Sequence, residues 1–470
     1  MAEKISELME KILSLIEEKN MTALKKLLAE AEEMEILQVF YDLSEDEQVI
    51  VFRMLKKDAA LSIFEELDTD VQRNLLSSFS KERSIEMINE MSPDDRVRLL
   101  DELPAGVAKR LLVSLSPEER ASTSILMGYQ PETAGRIMTT EYISLRRNMT
   151  VEQALERVSA QAEDKETVYT LFVTDDKMKL EGVLTLKGLL IARGVSGDTI
   201  GKTDGNTPIG EIMSKNAISV STDTDQEEVA RTLQELDLLA IPVVDKEGRL
   251  VGIVTIDDAV DILEDETTED IFDQAGLADV TGNESDRSDV LINGGLWKIW
   301  KVRLPFLLAT MVLGMLSGLI IDGFENTLES IAAVAIFIPL IMGMGGNVGT
   351  QSSTVFTRGV VLGHIQLKNF VKHFIKEIGI GFSIGALIGT ISGVVASVFL
   401  GIPMLGLAVA LAMVITMTVA SLLGFLVPFV LIKCNVDQAA GSAPIITSLK
   451  DIVALVIYFV CVSVFVGNML

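Results

Sequence analysis

Two cysteines and two histidines in 470 residues leave little material for several kinds of chemistry. Cys434 and Cys461 have no C-x-x-C spacing, so neither a disulfide framework nor a zinc site organises the chain. His364 and His373 flank a basic loop, and there is no H-E-x-x-H, nucleophile elbow or phosphate loop to anchor an enzyme. Basic residues are also scarce: 40 Lys and Arg stand against 67 Asp and Glu, a net charge of −27. The deficit lies at the front. Residues 298–470 carry nine basic and six acidic side chains, a balance of +3, which leaves −30 for residues 1–297. Such a surface repels nucleic acid and concentrates cations. The opening stretch, MAEKISELME, lacks the apolar run of a signal peptide, so the front half is expected to remain in the cytoplasm.

What the rear half has is long apolar runs. Five spans are expected, at roughly 302–321, 329–354, 374–400, 405–432 and 444–467. Lys298, Lys301 and Arg303 precede the first, Arg358, Lys368, Lys372 and Lys376 lie between the second and third, and Lys433 follows the fourth. All these positive loops fall on the side of the acidic half, which puts that half in the cytosol and the C-terminus outside. The last span contains Asp451, seven residues after Pro444 and so about 10 Å along the helix. An ionisable group at that depth costs about 2.5 kcal/mol or more and ordinarily faces a bundle interior or a wet cavity. That points to an ion pathway. The plainer alternative is local neutralisation by Lys450, although residues i and i+1 of a helix do not face each other. The second span ends in PLIMGMGGNVGTQSS, where glycines and amide or hydroxyl side chains suit either close helix packing or a polar cavity.

The acidic half contains two repeats. Residues 3–30 read as an amphipathic helix, with Ile5, Leu8, Met9, Ile12, Leu13 and Ile16 at helical spacing. Twelve-residue units then open at Leu43, Leu55, Leu67, Phe79, Met91, Leu103 and Leu115. Ser44 with Glu47 forms a capping box, and Ser92-Pro93 and Ser116-Pro117 place proline at the first helical position. Short helices of this kind must stack, which predicts a helical superhelix over 3–128. After a junction at 128–138 a second repeat is expected at an offset of 75 residues. Ile137-Met138 matches Ile212-Met213, Leu171 to Asp175 matches Ile241 to Asp245, and Glu181 to Thr185 matches Val251 to Thr255. Each copy reads strand, helix, strand, strand, helix, and resembles a cystathionine-β-synthase (CBS) domain. In such domains Ser/Thr-x-x-Asp after the last strand holds a nucleotide ribose. Thr255 with Asp258 matches that pattern, whereas the first copy has Thr185 but Gly188.

From Asp257 to Asp273 nine acidic residues occur with no basic one. Like charges at i, i+4 on a helix repel, so the stretch invites a divalent counter-ion or forms a disordered linker.

Together the twelve-residue repeat, the TAGRIM junction at 133–138, the paired CBS domains, the acidic helix, GGNVGTQ at 345–351, and Asp437 with SLKD at 448–451 resemble the MgtE family of magnesium channels. The resemblance covers nearly the whole chain. It implies a multidomain α-helical membrane protein: an N-terminal helical-repeat domain (1–130), CBS domains (131–200 and 201–264), an acidic connecting or plug helix (265–295) and a five-helix transmembrane domain (296–470). It further implies a homodimer whose two-fold pore is lined by the second and fifth spans, with Gly345, Gly346, Asn347, Ala443 and Thr447 along it. Asp451 would be the ion-selecting carboxylate and Asp437 would lie at the cytoplasmic mouth; Ala443 stands where the family carries Asn. Cytosolic Mg²⁺ would bind Asp225, Glu227, Asp237, Asp258, Asp261, Glu266, Glu269 and Asp270, joined by acidic repeat residues such as Asp94 and Asp95, and close the pore. ATP is implied through Thr255 and Asp258. Two other readings stay open: transport of Mn²⁺, Co²⁺ or Ca²⁺, and a membrane-anchored sensor that does not transport.

Overall fold

The computed structural model describes residues 2–67, 69–103, 105–162, 165–193, 205–278, 284–325, 328, 332–434 and 444–466. They form two compact units, Met1–Glu264 and Asp265–Leu470.

The first unit begins with ten helices: α1 (Ala2–Glu17), α2 (Met21–Glu30), α3 (Glu33–Tyr41), α4 (Glu45–Met54), α5 (Lys57–Glu65), α6 (Thr69–Ser78), α7 (Lys81–Glu90), α8 (Pro93–Glu102), α9 (Ala105–Ser114) and α10 (Pro117–Leu126). The single helix expected over 3–30 is two. Lys19 turns left-handed at φ 56°, and Asn20 caps the second helix by accepting from the Ala23 amide at 3.2 Å. From α4 to α10 each helix starts twelve residues after the one before it. The capping box is present, with the Ser44 amide donating to Glu47 Oε2 at 2.9 Å. The unit-opening residues Leu43, Leu67, Met91, Leu103 and Leu115 are buried. Phe40, Phe52 and Phe64 follow one another edge to face, at centroid distances of 6.3 and 6.0 Å.

A further element of the repeat is polar. Gln48, Gln72, Ser84 and Arg96 each donate a side-chain bond to the carbonyl eight residues back, on Phe40, Phe64, Leu76 and Ile88, at 3.0, 2.6, 3.2 and 2.7 Å. Helix C-termini leave carbonyls without intrahelical donors, and these side chains of the next helix supply them.

Two small sheets follow. In each, a first strand runs parallel to a second that is antiparallel to a third: β1 (Ser144–Arg146), β2 (Thr170–Thr174) and β3 (Leu180–Thr185), then β4 (Val220–Ser221), β5 (Ala240–Val244) and β6 (Leu250–Thr255). Five helices accompany them: α11 (Ala134–Ile137), α12 (Val151–Gln161), α13 (Leu186–Ala192), α14 (Ile209–Ile212) and α15 (Gln226–Glu235). The strand–helix order is as expected, but the single offset of 75 is not. Helices α12 and α15 begin 75 residues apart, while Thr170 and Ala240, which begin equivalent strands, are 70 apart, because the first copy has a longer link after its helix. The copies interlock. Thr139 exchanges both backbone bonds with Ile253 on β6, and Ser214 does the same with Val183 on β3. Gly252 and Gly182 permit this approach, since an added Cβ would lie 2.6 Å from Met138 Sδ or from the Ser214 carbonyl. Arg136 joins the helical repeat to the CBS pair, donating to Asp101 at 2.8 and 2.9 Å and to the Met127 and Tyr129 carbonyls at 2.5 and 3.0 Å.

The acidic helix differs from the expected 265–295. Helix α16 runs Ile256–Gln274, starting directly from β6 because nothing between Thr255 and Gln274 breaks it, and ends before Gly276 at φ 73°. A separate helix, α17, spans Glu284–Ile292. The five long apolar helices are α18 (Leu296–Gly323), α19 (Ile338–Val361, preceded by a 3₁₀ turn from Ala332), α20 (Phe370–Leu400), α21 (Pro403–Lys433) and α22 (Pro444–Val466). By length and composition all five can cross a membrane. On α20, Gly381, Gly385, Gly389 and Gly393 form a stripe against α21, where a Cβ on Gly389 would lie 2.6 Å from the Ala410 carbonyl and one on Gly393 equally near that of Gly406. Small residues at every fourth position let the two backbones meet.

Arg96 is the most connected of the repeat's polar ties. Only 1% exposed, it also donates to the Asn89 and Met91 carbonyls and to Thr123, and pairs with Glu119 at 2.5 Å. Arg96→Met keeps the stem and leaves those acceptors unpaired, so thermal unfolding of the purified chain should report a loss of about 3 kcal/mol. A loss below about 1 kcal/mol would mean that water satisfies the carbonyls instead.

Candidate ion pathway and acidic cluster

Asp451 lies on α22 and is half-buried. It faces α19: a Cβ added at Gly346 would stand 3.4 Å from Asp451 Oδ1 and 3.4 Å from Thr447 Cγ2, one turn earlier on the same helix. Glycine at 346 therefore leaves room beside the carboxylate. Gly345 turns the other way, towards Thr416 of α21 and Ala454 of α22. Asn347, Thr350 and Gln351 are exposed along α19 at membrane depth. Hydrocarbon is a poor solvent for such a face. Ser352, buried behind it, donates to Glu377 of α20 at 2.6 Å. The expected positions Asp437 and Ala443 lie outside the described residues.

In the other unit, carboxylates from distant parts of the chain meet. Glu65 and Glu66 at the end of α5, Asp94 and Asp95 in the first turn of α8, Asp257, Asp258 and Asp261 on α16, and Glu141 and Glu166 from the first CBS copy influence one another. Arg98 is the cation among them, donating to Asp95 at 2.8 Å and to the Glu65 carbonyl at 3.1 Å, and lying 3.8 Å from Asp261. It does not offset the crowd. Burial first, then the neighbouring Asp95, pushes Asp94 up to about 7. Burial and Asp94 push Asp258 up to about 8, and burial with Asp258 raises Glu166 to about 7. Glu65 is raised to about 7, mainly by burial. Asp94 Oδ1 is buried without a hydrogen-bond partner. Among the described residues no three His, Cys, Asp or Glu side chains converge closely enough to cage an ion.

The remaining expected ligands lie at α15 and on α16. Asp225 caps α15, accepting from the Glu227 amide at 2.9 Å, and Glu227 pairs with Arg231. Asp237 sits beyond the far end of α15 in a left-handed turn at φ 50°. Glu266, Glu269 and Asp270 occupy the second half of α16. Thr255 donates to Asp258 Oδ2 at 2.6 Å. Asp94 adds to the negative field at Asp258. Sequence reading missed Glu65, Glu66, Glu141, Glu166 and Arg98, because only the fold brings α5, α8, α16 and the first CBS copy together.

A carboxylate at membrane depth among five apolar helices, in a chain with a large acidic soluble part, is the arrangement of a multi-pass cation transporter. Family profiles agree: residues 338–461 match the divalent cation transporter MgtE, 31–132 the MgtE intracellular N domain, and 134–194 and 209–265 the CBS domain. The magnesium transporter MgtE of Thermus thermophilus is 35% identical over 74% of each chain, and that of Enterococcus faecalis is 32% identical over 74% of this chain and 72% of that one. The cytosolic domain of the Mg²⁺ channel MgtE in complex with ATP matches 54% of this chain and 99% of its own at 34% identity and a TM-score of 0.50. The soluble part of a magnesium transporter matches 56% of this chain at 31% identity, with the same TM-score. The chain belongs to the MgtE family of magnesium transporters, which are membrane transporters and not enzymes.

The raised carboxyl groups set a pH dependence. Their folded pKa values exceed the unfolded ones near 4, so the folded state holds protons more tightly. The associated stability is full below pH 4 and is lost as pH rises through about 7 to 8. Without divalent ions the purified chain should therefore melt higher at pH 6 than at pH 8.5, and Asp94→Asn should shrink that difference. An Asp94→Asn variant with the native pH dependence would remove Asp94 from the cluster.

Proposed function

We propose that this chain mediates Mg²⁺ influx across the cell membrane through a pore at the two-fold axis of a homodimer, with Asp451 of each copy selecting the ion. The observation that carries the reading is Asp451 beside Gly346 and Thr447, next to the exposed polar face of Asn347, Thr350 and Gln351. A second copy and the water it encloses would cover that face, which lipid cannot solvate. Mg²⁺ dehydrates reluctantly, so a pair of carboxylates can hold it through its waters. Asp437 at the cytoplasmic mouth and Ala443 near the narrow part of the pore complete the proposed path.

Cytosolic Mg²⁺ is the proposed gating ligand. Its binding among Asp94, Asp258, Asp261 and their neighbours would relieve like-charge repulsion and favour the packed, closed state, joined by Asp225, Glu227, Asp237, Glu266, Glu269 and Asp270. A ligand shifts such an equilibrium only by its differential affinity, so several weak sites acting together are required. The soluble domains face the cytosol and the C-terminus lies outside, as the positive loops favour. ATP, bound by the cytosolic domain of a relative, is the nucleotide proposed for the CBS pair. No nucleic-acid partner is proposed for so acidic a surface.

Proteoliposomes test the pore. With the cytosolic side initially free of Mg²⁺, Asp451→Ala should lower Mg²⁺ uptake at least about tenfold while the protein stays folded and dimeric. Equal uptake by native and variant chains would remove Asp451 as the selecting residue, and no uptake by the native chain would favour a sensor without transport.

A further inference from the structure

Lys450 immediately precedes Asp451 and is only 2% exposed. Its Nζ is buried and has no hydrogen-bond partner among the described residues. The stem lies across α19 at Gly349, where an added Cβ would stand 2.7 Å from both Cε and Nζ. A buried ammonium without a hydrogen-bond acceptor is costly, and the adjacent Asp451 carboxylate offsets part of that cost. Consecutive helix residues point about 100° apart, so Lys450 and Asp451 occupy adjacent faces of α22. Lys450 meets α19 at Gly349, and Asp451 meets it at Gly346. These glycines are three residues apart, on one side of α19 and within one turn. The amine and the carboxylate thus share a single seam between two helices, where the surroundings screen charge weakly.

We propose that Lys450 is a positioning residue for transport, a fixed positive charge that weakens the hold of Asp451 on a divalent cation enough for the ion to leave. The proposal rests on the reading of Asp451 as the ion-binding carboxylate. A site that binds too tightly does not conduct, because each ion must be released before the next can pass. The potential of the amine acts on a divalent ion twice as strongly as on a monovalent one. Removing the charge should therefore tighten Mg²⁺ binding and slow its exit. Loss of transport through misfolding would not have that signature.

The test is the Mg²⁺ dependence of uptake into proteoliposomes by the full chain. For Lys450→Met, the half-saturating Mg²⁺ concentration should fall about tenfold and the maximal rate should fall with it. Lys450→Arg, which keeps the charge, should stay within about twofold of the native chain on both. If the Met variant does not fold, Lys450→Gln carries the same expectation. Unchanged half-saturation in a folded, charge-free variant would overturn the proposal, as would an equal shift in Lys450→Arg, which would trace the effect to packing at Gly349. Asp451→Ala separates the two failures. Native uptake by Asp451→Ala sinks the underlying reading, whereas unchanged half-saturation in Lys450→Met beside an inactive Asp451→Ala sinks only the role given to Lys450.

Discussion

Keeping a carboxylate at membrane depth is the constraint on which the transmembrane unit depends. Asp451 can stay there only where it is shielded from hydrocarbon. Glycine shapes its surroundings on α19. Gly346 leaves room beside the carboxylate, Gly349 receives the stem of Lys450, and Gly345 lets α19 press against Thr416 and Ala454. The stripe from Gly381 to Gly393 brings α20 against α21 by the same means. With little hydrophobic driving force between helices in lipid, close backbone approach supplies the dispersion contacts that hold the unit together.

The acidic unit manages charge in the opposite way. It brings carboxylates together instead of isolating one. Burial and mutual repulsion raise Asp94, Asp258, Glu65 and Glu166 toward neutral pH, and Arg98 relieves only part of the strain. An arrangement with an uncompensated field at its centre responds to whatever cation enters. A rigid cage would bind more tightly and would change less between occupied and empty states. Among the described residues there is none.

The helical repeat supports this cluster mechanically. Its carbonyl ties at Gln48, Gln72, Ser84 and Arg96 set each helix on the one before it, and Arg136 anchors the last of them to the CBS pair. Helix α8 thereby brings Asp94 to Asp258. The fold of this region was readable because its signals are local: the twelve-residue period, the Ser-Pro caps and the apolar residue opening each unit all act within one turn or one link. Where two signals competed, local chemistry decided. Asn20 and the left-handed Lys19 split the first helix, and the uninterrupted run after Thr255 carried α16 back into the second CBS copy.

By itself, then, the sequence determined the five apolar spans, the two repeats, the place of Asp451 within the last span and the segregation of negative charge, since each depends on composition or short-range spacing. Tertiary structure alone decided which carboxylates face one another and which neighbours each glycine of α19 meets. It also decided that Lys450, adjacent to Asp451 in the chain, would be buried on a different face, its amine without a hydrogen-bond partner among the described residues. These outcomes depend on the direction in which each helix presents its side chains to a distant neighbour, and on how little the surroundings screen the charges that meet there.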